Sequence, residues 1–127
     1  MEIRWLTREI VLAAHAQSLR DHGGADGMRD EGMLMSAIDR PKNLAAYSEP
    51  DVFALAARYA FGLAKNHPFV DGNKRTAYLS VYVFLGLNGQ ELDANESEAA
   101  AITLDLAAGE VIKDEVALWL KINCEAL

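Results

Sequence analysis

Residues 52–87 read VFALAARYAFGLAKNHPFVDGNKRTAYLSVYVFLGL, two apolar, helix-patterned segments joined by a short polar stretch. In the first, Phe53, Leu55, Ala56, Tyr59, Ala60, Leu63 and Ala64 recur at helical spacing and form a broad apolar face. Asp51 is placed to cap that helix and Pro68 to stop it, which predicts a span of about Val52 to Asn66. The second segment predicts a helix from about Asn73 to Leu87, with Asn88-Gly89 as its C-cap. Tyr78, Leu79, Val81, Tyr82, Val83, Phe84 and Leu85 make it apolar on nearly every side, so it reads as the central, surrounded helix. Val81 and Val83 also suit a strand, but the length of the segment favours helix.

The flanking sequence continues in the same style. Thr7 is a plausible N-cap, with Leu6 and Val11 spaced as a hydrophobic staple, for a helix running to about Arg20 and ending in Asp21-His22-Gly23-Gly24. Gly23 to Gly32 is glycine-rich and reads as a loop. A shorter helix, about Glu31 to Asp39, is expected to stop before Pro41, because the residue preceding a proline is pushed out of the helical region. Asn95 and Glu98 have capping-box spacing for a helix from Glu96 to Ala108, closed by Gly109. A last helix, about Lys113 to Asn123, buries some combination of Val116, Leu118, Trp119 and Leu120. At most, a short ribbon joins Gln90-Glu91-Leu92 to Gly109-Glu110-Val111. The fold class is all-α, a compact bundle of about six helices in a single domain, 1–127.

At 127 residues, 51% of them apolar, the chain suits one hydrophobic core. Cys124 is the only cysteine, so an internal disulfide and a cysteine-rich zinc site are excluded. Arg4, Arg8 and Glu9 interrupt any apolar N-terminal run, and the apolar stretch from Ala77 to Leu87 is too short to span a bilayer. A cytoplasmic protein without a membrane partner is expected. With 12 basic and 19 acidic residues the formal charge is −7, which disfavours direct binding to nucleic acid. Lys65, His67, Lys74 and Arg75 cluster against that sign and suit a small anion.

The joining stretch, His67-Pro68-Phe69-Val70-Asp71-Gly72-Asn73-Lys74-Arg75, carries the chemistry. His67 can accept a hydroxyl proton near neutral pH. Asp71 supplies one carboxylate, enough for Mg²⁺ when water and phosphate oxygens fill the other positions, and it is equally placed to cap the next helix. Gly72 allows a turn and close approach of a ligand. Asn73, Lys74 and Arg75 open a helix whose free amides favour negative charge. Two cations there oppose the helix dipole unless an anion sits between them. Pro68 and Phe69 read as a stiffener and an anchor. Lys65 reads first as a surface lysine, and Tyr59, Tyr78 and Tyr82 as core. A transition-metal site joining His15 and His22 to His67 and Asp71 lacks ligand spacing.

His67, Phe69, Asp71, Gly72, Asn73, Lys74 and Arg75 match every defined position of the motif His-x-Phe-x-(Asp/Glu)-(Gly/Ala)-Asn-(Gly/Lys)-Arg, and the segment resembles the signature of the Fic/Doc family. The Gly23-Gly24 and Gly27-Met28-Arg29-Asp30 loop, Arg40-Pro41, Tyr47 and Leu87-Asn88-Gly89 are also similar to its death-on-curing branch. The resemblance implies His67 as general base, Asp71 as metal ligand, and Gly72, Asn73, Lys74 and Arg75 as a phosphate cradle, with ATP as substrate and Mg²⁺. Lys74 stands where AMP-transferring members usually have Gly, and Tyr78 where they have a second Arg. Both changes imply a reversed ATP and transfer of the γ-phosphoryl group to a Ser/Thr hydroxyl, with translation elongation factor Tu as the implied target. AMP transfer and a catalytically idle antitoxin-binding module are the alternatives. The Ser/Thr-x-x-x-Glu-(Gly/Asn) pattern of an inhibitory helix is absent. The resemblance therefore implies a type II toxin controlled by a separate antitoxin, whose C-terminal segment folds into a groove. It also places the Gly23–Gly32 loop beside the active site.

Overall fold

The computed structural model describes residues 2–127. In chain order these form α1 (Arg8–His22), α2 (Glu31–Tyr47), α3 (Val52–Asn66), α4 (Asn73–Leu87), β1 (Gln90–Leu92), α5 (Glu96–Ala108), α6 (Lys113–Ile122) and β2 (Cys124–Ala126). The all-α class and the six expected helices are therefore present. Local capping sets most boundaries. Thr7, Asp30, Asp51 and Asn95 each accept a hydrogen bond from a backbone N–H in the first turn of α1, α2, α3 and α5. Leu6 and Val11 are both buried at the entry to α1.

The helices pack around a core that includes Leu55, Tyr59, Leu63, Phe84 and Leu85, all fully buried. Each such side chain contributes roughly 1.5–3 kcal/mol relative to exposure. The surrounded helix is α3, not α4 as expected. It packs against α2, α4, α5 and α6, whereas one side of α4 stays open. There Val83 is 40% exposed and, with Leu79 and Tyr82, lines a groove shared with Ile10, Ala13 and Ala14 of α1. The apolar composition of α4 covers this groove as well as the core, so composition overstated its burial.

Two further expectations fail for tertiary reasons. α2 does not end before Pro41 but runs on to Tyr47, with Pro41 inside the helix. Leu34, Ala37, Ile38 and Pro41 form one buried stripe at helical spacing, on a helix that packs along α3. Burying that stripe offsets the hydrogen bond that Pro41 cannot donate. The ribbon pairs β1 antiparallel with β2, Leu92 opposite Cys124 and Gln90 opposite Ala126. The expected partner, Gly109 to Val111, is occupied by the end of α5: Gly109 is left-handed, and Glu110 N–H donates to Asp105 O at 2.8 Å. α6 ends at Ile122 and buries Val116 and Leu120, while Leu118 is 59% exposed. No helix among the described residues is long and apolar enough to cross a membrane.

α2 crosses α3 closely at Gly62. A Cβ at Gly62 would lie 3.0 Å from both Cα and Cβ of Ala37. Gly62→Ala is expected to destabilise the fold by about 1–3 kcal/mol in urea unfolding through overpacking. This holds even though alanine has the higher helix propensity. A variant as stable as the wild type would show that this crossing yields freely.

Candidate active site

His67 ends α3 in the left-handed region, φ 49° and ψ 57°, and is the only non-glycine with positive φ among the described residues. That conformation turns the chain out of α3 and leaves the imidazole exposed. Arg29 holds the turn from outside, donating from Nε to His67 O and from Nη2 to Asn66 O at 2.8 Å. A guanidinium on the last carbonyls of a helix also opposes its negative pole. Pro68 and Phe69 turn inward and are buried, the anchoring roles expected of them. The Phe69 ring stacks on His15 at 3.8 Å between centroids and 7° between planes.

The stretch is then clamped on itself. The buried Asn73 accepts Phe69 N–H and donates to Phe69 O, both at 2.9 Å. The Asn73 side chain is therefore the clamp that shapes this stretch. Gly72 lies at φ 78°, where a side chain is strained, and an added Cβ would meet Ser18 Oγ at 3.1 Å. Gly72 is the N-cap of α4, and no side chain caps the first turn. Asp71 is thus not the cap. Its Oδ1 accepts Gly72 N–H at 2.9 Å and its Oδ2 accepts Ala25 N–H at 3.2 Å. His15 donates from Nε2 to Asp71 O at 2.8 Å, which fixes the protonated ring nitrogen.

His67, Val70, Asp71, Gly72, Asn73, Lys74 and Arg75 together line a cavity of about 290 Å³. His67, Asp71, Gly72, Asn73, Lys74 and Arg75, the residues to which the sequence assigned chemistry, thus border one space. Burial lowers the His67 pKa below its ordinary value of 6.5, and Lys74, Arg29 and Lys65 lower it further. The imidazole is therefore neutral, and able to accept a proton, at neutral pH. Arg75 Nε is buried without a hydrogen-bond partner. Its nearest carboxylate is Glu96, at 3.7 Å. Lys65 points elsewhere, with Nζ 3.4 Å from Ala107 O.

The site has further neighbours, only some of which were legible in the sequence. The Gly23–Gly32 loop folds over the motif: Arg29 and Asp30 N–H both donate to Pro68 O, Val70 N–H donates to Gly27 O, and Met28 bridges Phe69. Gly24 approaches so closely that a Cβ there would lie 2.8 Å from Asp71 Oδ2. The family resemblance placed this loop beside the site, and the density of glycines was the only signal from the residues alone. Glu96 gave none. Its Oε1 accepts the Tyr78 hydroxyl at 2.6 Å and lies 3.0 Å from His22 Nε2. Burial and the bond to Glu96 push the Tyr78 phenol up to about 12, so the position holds a neutral group. His22 thus lies beside Glu96 and does not line the cavity with His67. No cluster of three or more His, Cys, Asp or Glu able to hold a metal occurs among the described residues.

The clamp is open to direct test. Asn73→Ala would strand the buried N–H and C=O of Phe69 and is expected to lower stability by about 2–4 kcal/mol. Asn73→Asp, which retains an acceptor but loses the donor, should fall between it and the wild type. Equal stability of all three in chemical denaturation would show that the loop holds its shape without these bonds.

Sequence comparison agrees with this geometry. Residues 5–85 match the model of the Fic/DOC family, a span that includes the whole cavity. The chain is 35% identical over 120 residues to the protein kinase doc of Escherichia phage P1, covering 94% of each chain. It is 37% identical over 117 residues to the toxin Doc of Mycolicibacterium smegmatis, covering 89% of this chain and 80% of that one. With its six helices, its motif cavity and this extent of similarity, the chain belongs to the Fic/DOC family.

Proposed function

We propose that this protein is the toxin of a toxin–antitoxin pair and that it transfers the γ-phosphoryl group of ATP to a Ser or Thr hydroxyl of a protein. The target we favour is translation elongation factor Tu, whose modification would block translation in the cytoplasm. One observation carries the reading: a neutral, exposed imidazole shares a cavity of about 290 Å³ with a carboxylate, two cations and an uncapped helix N-terminus. The names of the two relatives, one a kinase and one a toxin, support it.

In this mechanism the polyphosphate lies against the first turn of α4, where the amides of Asn73, Lys74 and Arg75 have no side-chain cap. Lys74 supplies a point charge and Arg75 a planar donor set. The acceptor hydroxyl oxygen attacks the γ-phosphorus, its proton passes to the free imidazole nitrogen of His67, and the bond to the β–γ bridging oxygen breaks to release ADP. Mg²⁺ suits the donor set. One carboxylate, Asp71, is held in place by Ala25 and Gly72 with lone pairs to spare, and this cation normally keeps water and phosphate oxygens as its other ligands. When bound, it would neutralise charge on the transferring group. Tyr78 offers a neutral hydroxyl engaged by Glu96 where AMP transfer would use a second cation, which favours γ-transfer. The groove between α1 and α4, about 640 Å³ and lined by Ile10, Ala13, Ala14, Leu79, Tyr82 and Val83, suits the apolar face of an antitoxin helix.

Incubation with elongation factor Tu and ATP labelled at the α or the γ position tests the reaction. Label from γ alone is the expected result. Label from α would replace it with AMP transfer, and no label with antitoxin binding intact would mean an idle module. His67→Ala should reduce transfer at least 100-fold, about the lower bound for loss of a general base, with an unchanged circular dichroism spectrum. Because the His67 pKa is lowered, its protonated, inactive form accumulates only below pH 6.5. The acid limb of kcat/KM should therefore fall at a pH below that value, and the ring should titrate there by NMR. Lys74→Met removes one of the lowering charges and should shift the ring titration upward. A limb above pH 6.5, or a Lys74→Met shift downward, would exclude His67 as the base.

A further inference from the structure

A second cationic face lies where α3 meets the end of α5 and the start of α6. Arg58, Phe61, Leu106, Gly109, Val111, Ile112, Lys113 and Asp114 enclose about 380 Å³ between α3, the end of α5 and the start of α6. Lys113 Nζ sits 3.9 Å from the centroid of the Phe61 ring, and the Arg40 guanidinium 5.4 Å from it. Attraction to the ring holds both cations in place without neutralising either. None of Arg40, Arg58 and Lys113 forms an ion pair among the described residues, although the chain carries −7 overall. Arg40 Nε is buried without a hydrogen-bond partner. Burial and the charges of Arg58 and Arg40 lower the Lys113 pKa, and Asp114 only partly opposes them. Beside these charges lies an apolar wall, including Ile112 at 61% exposure.

We propose that this face docks an acidic peptide segment with flanking apolar side chains, and that the segment belongs to the protein whose hydroxyl is modified. The charge pattern selects the occupant. Two unpaired cations, Arg58 and Lys113, line the cavity with one carboxylate, Asp114, and Arg40 adds a third charge across the Phe61 ring. That surplus calls for carboxylates, and a free inorganic anion would make no use of Phe61, Val111 and Ile112. A nucleic acid strand would meet the repulsion of the whole chain. Position links the face to the reaction. Arg58, Phe61 and Lys65 follow one another along one side of α3, and Phe61 precedes His67 by about 9 Å of helix axis. About three residues of extended peptide cover that rise, and a somewhat longer segment would also pass round the helix to the imidazole. The docking claim stands on the patch itself; its link to catalysis rests on the transferase reading above.

The test separates the two. Wild-type protein is titrated with a fluorescein-labelled decapeptide alternating glutamate and leucine, with a lysine–leucine peptide as control. Saturable binding of the acidic peptide alone is expected, at least tenfold weaker in the Arg58→Gln/Lys113→Gln double variant. ATP affinity should be unchanged in that variant, which also shows that it folds. If the transferase reading holds, the same variant should raise KM for the protein target and leave kcat as it was. Failure of the labelled-ATP experiment would not touch the peptide result. No binding by the wild type, equal binding by the double variant, loss of binding only in Lys74→Gln, or full displacement by inorganic phosphate would each overturn the docking site.

Discussion

The two hydrogen bonds between the Asn73 side chain and the backbone of Phe69 are the constraint on which the site depends. They pair a buried donor and a buried acceptor that would otherwise be stranded where α3 and α4 meet, a loss of about 1–3 kcal/mol for each group left unmade. They also set direction. With Phe69 pinned in the core against His15, the chain can leave α3 only through the left-handed turn at His67 and enter α4 only through the one at Gly72. The imidazole and the bare helix end are thereby forced onto the same small space. The loop needs no metal or disulfide to hold it, because the core on one side and the Gly23–Gly32 loop on the other already do.

That second loop closes the arrangement with backbone atoms. Gly27, Arg29 and Asp30 exchange main-chain bonds with Pro68 and Val70, and Ala25 N–H holds Asp71. Side chains play little part, apart from Arg29 on the end of α3. A loop attached this way can vary in sequence and keep its grip, provided that Gly24 stays small enough to lie against the Asp71 carboxylate. Placing a carboxylate with amides also fixes it without the bulk or charge of another side chain, which leaves its outer face free for a ligand.

The parts of the structure that are legible in the sequence are those decided by neighbouring residues. α3, α4 and α5 begin and end close to where Asp51, Pro68, Asn88, Asn95 and Gly109 put them, because a cap acts within one turn; only the cap of α4 differs, being Gly72 and not Asp71. The cavity residues are legible for the same reason: His67 to Arg75 are contiguous, and one turn brings them together. What was misread depends on distant partners. Whether Pro41 ends α2 is decided by burial against α3, and the partner of β1 by a C-terminal strand over thirty residues away. His15, Arg29 and Glu96 reach the site across sequence separations of 56, 38 and, from Tyr78, 18 residues. No local pattern marks such residues. Composition misled in one further case, since the apolar surface of α4 serves a groove as well as the core.

The electrostatics of the site give one field two uses. Burial first, and then Lys74, Arg29 and Lys65, disfavour a proton on His67, so charges that would draw in a polyphosphate also help to keep the ring a free base. Two cations in the first turn of α4 also oppose its dipole, so an anion between them and the helix end relieves both strains at once. In the proposed reaction, bound ATP would cancel much of this field and raise the His67 pKa. The ring would then hold a proton more readily at the moment a hydroxyl is ready to give one up. Before the nucleotide arrives, the same ring is protected from protonation. In the proposed reaction, nucleotide binding and proton transfer would thus be coupled through the charges around a single imidazole.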